Sequence, residues 1–92
     1  MLIRLIELER GMRGGTGRLR EIYINTQHII SVSEDQQMSE SLINEIKQLG
    51  LSEGAMFSKV IVQEGNLPKT MTVVGSPTEI YRKIKKRQLL KG

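Results

Sequence analysis

The stretch GMRGGTGRLR, Gly11 to Arg20, sets four glycines and three arginines close together. Glycines let a backbone approach an anion closely, and a guanidinium grips phosphate through two parallel hydrogen bonds. The chemistry these types suggest is phosphate recognition by Arg10, Arg13, Gly14, Gly15, Arg18 and Arg20. Hydrolysis of a nucleotide would ask for more: a Lys-Ser/Thr pair opening a helix whose N-terminus faces the phosphates. Here Gly17 is followed by Arg18-Leu19-Arg20-Glu21-Ile22-Tyr23, which reads as a strand and lacks that pair. The loop either touches an anion by charge and reach or joins two strands in solvent.

The second candidate is RKIKKRQLLK near the end of the chain, with Arg82, Lys83, Lys85, Lys86 and Arg87. On a helix Ile80, Tyr81 and Ile84 cover one side while Arg82, Lys83, Lys85 and Lys86 spread over the rest. They offer a surface for nucleic acid or an acidic protein, although positive charge at a helix C-terminus is also favoured by the macrodipole alone. Tyr23 and Tyr81 are the side chains that could stack on a base if the fold leaves them exposed. Few bulky apolar anchors accompany the cations, which argues against a membrane surface as the partner.

Catalysis finds no support. There is no cysteine, so thiol nucleophiles, disulfides and thiolate metal sites are excluded. The single histidine, His28, has no recognisable activating partner, and no paired-carboxylate or nucleophile-elbow pattern occurs. A non-enzymatic protein with no metal and no cofactor is expected.

These residues must be positioned by a small core. Ninety-two residues with one Phe, two Tyr and no Trp leave the interior to Ile, Leu, Val and Met. Such a chain reads as one domain, and homodimerisation would be a further source of burial. The net charge of +4 is uneven: about +2 over residues 1–33, about −4 over 34–54 and about +6 over 55–92. The opening MLIRLIELER is charged too early for a signal peptide, and no apolar run approaches the roughly 20 residues of a membrane span, so a cytoplasmic protein is expected.

Alternation predicts strands over Leu2–Glu9, Leu19–Asn25, Ile29–Ser33, Met56–Gln63 and Thr70–Val74. A polar turn or bulge at Asn25-Thr26-Gln27 and a hairpin connection at Glu64–Lys69 separate them. Between the third and fourth strands the period changes. Met38, Leu42, Ile46 and Leu49 predict an inserted helix over 35–50, capped by Asp35 or Ser39 and stopped by Gly50. The last element, over 76–90, opens with GSPTE, where Ser76 is the N-cap, Pro77 the first helical residue and Glu79 the capping-box partner. Its buried stripe is Ile80, Tyr81 and Ile84. The expected fold is α+β, a small, mainly antiparallel sheet of about five strands carrying the inserted helix and the C-terminal helix.

In this order the segments MLIRLIELE, EIYINTQHIISVSE, SKVIVQEG and KTMTVVGSPTEIYRKI resemble the small FlbD/SwrD-like flagellar accessory proteins. Tyr23, Asn25, Ile29 and Val32 stand in that family's second-strand pattern, and Ser76, Glu79, Ile80 and Ile84 in its helix pattern. The similarity covers about two-thirds of the chain. The first loop is longer and more basic than the family pattern, and residues 35–50 look inserted. MLI and EIYRKIKK are similar, more weakly, to the ends of the CsrA RNA-binding proteins.

Two functions are expected on these grounds. The basic segments favour a binding or regulatory module that engages nucleic acid. The resemblance implies instead a protein–protein accessory factor or small inhibitor of a larger machine. An oligomer that holds a small anionic nucleotide is a third form of the same charge argument.

Overall fold

The computed structural model describes residues 1–9, 17–37, 50–51 and 54–91, residues 86–91 by backbone alone. Strands β1 (Leu2–Glu9) and β2 (Arg18–Asn25) form an antiparallel hairpin running without a register break from Leu2–Asn25 to Glu9–Arg18. A 3-10 turn, Thr26–His28, leads into β3 (Ile29–Glu34), and β4 (Phe57–Glu64) and β5 (Leu67–Val74) form a second hairpin. Helix α1 (Pro77–Lys91) comes last. The sheet order is β2-β1-β5-β4-β3, and every neighbouring pair is antiparallel. This is the small α+β sheet that the sequence predicts.

The fifth strand begins three residues earlier than alternation suggested. Gly65, at φ +63, supplies the backbone of a two-residue turn with Asn66, so Glu64 pairs directly with Leu67. Pro68, expected in the hairpin connection, pairs instead with Gln63 one step from the hairpin's tip.

The register sorts the side chains. On one face Ile3 and Ile24, then Leu5 and Ile22, stand opposite each other, followed by Glu7–Arg20 and Glu9–Arg18. Val60 and Val73 continue the apolar part of that face, and Ile80 of α1 closes over it with Ile84 beside it. Tyr81 does not belong to this stripe as predicted. It is 55% exposed, because one residue beyond Ile80 turns it about 100° away from the sheet. On the opposite face a smaller cluster joins Leu8 and Phe57 with Leu19, Leu51 and Val74.

Strands β2 and β3 lie at opposite edges, yet three residues connect them. A flat five-stranded sheet would separate its edges by about 19 Å, whereas the four Cα steps from Asn25 to Ile29 span at most about 14 Å. The sheet is therefore curled at that corner. Asn25 fixes the turn: its Oδ1 accepts from the backbone N–H of Gln27 at 3.0 Å, and Thr26 N–H donates to the Met1 carbonyl at 2.9 Å.

Of the predicted insertion, residues 35–37 and 50 are described, and Gln36 and Gln37 are helical. Gly50 has φ +80, the left-handed geometry expected of its stop. The remainder of that predicted helix lies outside the described residues.

Candidate functional site

Of the predicted anion-binding residues, Arg10, Arg13, Gly14 and Gly15 lie outside the described residues, as do the side chains of Lys86 and Arg87. A nucleotide-binding loop would have to run directly into a helix, but residues 18–25 are extended from Arg18 onward. No helix opens at Gly17 to aim its free N–H groups at a phosphate.

The arginines leaving that loop carry partners. Arg20 Nε donates to Glu7 Oε1 at 2.8 Å and lies 3.5 Å from Glu9 Oε2, while an Arg18 Nη donates to Glu9 Oε1 at 3.5 Å. On the other face Arg4 pairs with Glu21. The geometry is dictated by the hairpin: Glu7 and Glu9 alternate onto one face of β1, and Arg18 and Arg20 meet them from β2. The hydrogen bond from Arg4 holds the Glu21 carboxyl below its ordinary range, with a second from Tyr23 adding to it. The same bond holds Arg4 protonated even more firmly than usual, and Glu7 does this for Arg20. Arg18 and Arg20 are thus exposed but already matched to carboxylates. Tyr23 is 61% exposed, and its hydroxyl donates to Glu21 at 3.1 Å, so it stands beside a negative charge.

Helix α1 is different. Ser76 Oγ accepts from the Glu79 N–H at 3.2 Å and donates to a Glu79 carboxylate oxygen at 3.4 Å. That cap starts the helix at Pro77, as predicted, and aims Ile80 inward. Arg82, Lys83 and Lys85 are then exposed, and none of them forms an ion pair among the described residues. Lys83 Nζ donates to the Arg4 carbonyl at 3.2 Å, and Lys85 Nζ sits 5.5 Å from the centre of the Tyr81 ring, within cation–π range. Arg4 lies five residues along β1 from the Glu9–Arg18 end, about 17 Å away. The described contacts thus anchor the two basic segments at opposite ends of the first strand.

Two grooves flank these elements. One, of about 290 Å³, lies between β2 and the β4–β5 hairpin, with Ile22, Ile24 and Met71 in its wall and the pairs Glu7–Arg20 and Glu64–Lys69 at its rim. Its charges balance. The other, of about 450 Å³, runs between β3 and α1 along Ile30, Val32, Pro77, Tyr81 and Ile84. Ile30 was not singled out from sequence. The signal was the Ile29-Ile30 doublet, which breaks strand alternation where the structure has a bulge. The pairing of Glu7 and Glu9 with Arg18 and Arg20 was equally present in sequence, as E-x-E and R-x-R on either side of one hairpin loop.

Among the described residues no three His, Asp or Glu side chains gather as metal ligands, and no helix is long and apolar enough to cross a membrane. The chain matches no protein-family model, no curated protein and no solved structure.

Proposed function

We propose that this protein is a non-enzymatic binding module that uses the exposed face of α1 to engage a polyanion, nucleic acid in the first place. The observation that supports this is the difference between the two sets of cations. Arg4, Arg18 and Arg20 are held by Glu21, Glu9 and Glu7, whereas Arg82 and Lys85 stand on a helix face with no carboxylate partner among the described residues. An uncompensated cation gains from meeting phosphate and releasing its counterions. A cation already in an ion pair must first lose that pair.

The test is a binding titration of the full chain against labelled single-stranded and duplex oligonucleotides at low salt. Reversing two charges, Arg82→Glu with Lys85→Glu, is expected to weaken binding at least tenfold, while Arg18→Ala with Arg20→Ala changes it less than threefold, on the scale of rim electrostatics. Absence of binding at low salt, or a larger loss from the hairpin variant than from the helix variant, rejects the proposal.

A further inference from the structure

The apolar groove beside the cations narrows the kind of nucleic acid. In the β3–β4 ladder Ile29 faces Val62 and Ser31 faces Ile61, which makes Ile30 an extra residue in a bulge. The bulge leaves Ile30 56% exposed along a groove of about 450 Å³ whose opposite wall carries Tyr81, also 55% exposed. Lys85 hangs over the Tyr81 ring and Arg82 follows it on the helix. An apolar slot with an aromatic side wall, next to cations that form no ion pair among the described residues, combines the two parts of a single-strand site: a surface for the flat face of a base and charges for the backbone.

We infer that this groove receives an unstacked base of a single-stranded nucleic acid. The inference rests on the reading of α1 as a cationic contact surface. A duplex keeps its bases paired and offers only phosphates and groove edges, so it leaves the slot filled with water. A single strand can turn one base between Ile30 and Tyr81 while its phosphates meet Lys85 and Arg82. An extended acidic peptide is the competing occupant, since β3 is an edge strand. Two observations disfavour it. The bulge interrupts the edge where such a strand would pair, and Glu34 at the end of β3 would repel acidic side chains.

The test measures fluorescence anisotropy of the full chain with an oligo-dT of about 12 nucleotides, a blunt duplex of the same length and an oligo-glutamate peptide. Tighter binding of the single strand than of the duplex is expected. Tyr81→Ala should cost that preference and lower single-strand affinity by roughly 5- to 150-fold, the effect of losing one stacked base. Tyr81→Phe keeps the ring and should retain affinity within about threefold of the unmodified chain. Because Tyr81 is exposed, both variants should keep the circular dichroism of the parent. Equal affinity for the two nucleic acids, with Tyr81→Ala without effect, overturns the groove inference and leaves the cationic-face reading standing. Failure to bind either nucleic acid overturns both. Preferential binding of oligo-glutamate, sensitive to Tyr81→Ala, assigns the groove to a protein partner and overturns the inference.

Discussion

At the scale of single residues, the charge a side chain carries matters less than the group it already touches. Arg4 and Glu21 show this most directly. The Arg4 hydrogen bond favours the ionised form of Glu21, so its carboxyl in the folded chain titrates below the ordinary value of about 4.3. The sign is that of a depressed carboxylate. The pairing contributes to stability above the unfolded-state value and is lost as pH falls through the lowered folded one. Both groups are exposed, so the consequence to look for is the titration itself and not the melting temperature. In a carbon-detected NMR titration, Glu21 should protonate below the ordinary glutamate range, and Arg4→Ala should raise its midpoint toward that range while the Tyr23 hydrogen bond still lowers it. A midpoint unchanged by the substitution would show that the guanidinium is not what holds the proton off. Tyr23 belongs to the same small network, which is why an exposed aromatic on β2 is a poorer meeting place for phosphate than Tyr81 on α1.

At the scale of elements, the joint between β5 and α1 decides where the cationic face points. Gly75 takes φ +120, a region that side-chain-bearing residues rarely adopt. Its N–H donates to the Met56 carbonyl at 2.8 Å, and its own carbonyl accepts from the buried Ser58 hydroxyl at 2.7 Å. A Cβ at this position would meet Glu79 at 3.5 Å and Ile80 at 3.9 Å, ordinary contacts, so the cost of a side chain is backbone strain and not collision. Gly75→Ala should therefore destabilise the fold by about 1–3 kcal/mol, and loss of the cap in Ser76→Ala by about 1 kcal/mol, both read from urea melts. A neutral Gly75→Ala would mean that the joint relaxes freely and does not fix the helix. The start of the helix was legible in sequence, because GSPTE names its cap, first residue and capping-box partner. The five strands were legible too, since period-two alternation is a local signal. What stayed hidden was non-local. Nothing within residues 29–31 alone reveals which of the two isoleucines will face Val62. Nor does Thr70–Val74 show that a tight Gly65-Asn66 turn will draw Leu67–Lys69 into the same strand.

At the scale of the whole molecule, summing charge along the chain gives two basic ends but says nothing of which cations already have partners. Folding the first end into a hairpin sets three carboxylates against three guanidinium groups among its described residues, so that end has almost no net charge to offer there. The α1 surface keeps its described cations because the helix lays only Ile80, Ile84 and their neighbours on the sheet. The candidate site was thus half legible: the cations of α1 could be named from composition, whereas helical spacing had assigned Tyr81 to the buried stripe and the structure exposes it. The groove beside them requires β3 to bulge so that Ile30 and Tyr81 stand across it from each other. The asymmetry has a measurable form. Each phosphate contact on a single strand contributes about 0.7 to the slope of log affinity against log salt concentration. Removing Arg82 and Lys85 together should flatten that slope by about 1.4, whereas removing Arg18 and Arg20 should leave it nearly unchanged, because those two exchange one anion for another. If the hairpin variant flattens the slope as much as the helix variant, Glu7 and Glu9 release their partners on binding. The polyanion would then be gripped along both basic segments and not by the helix alone.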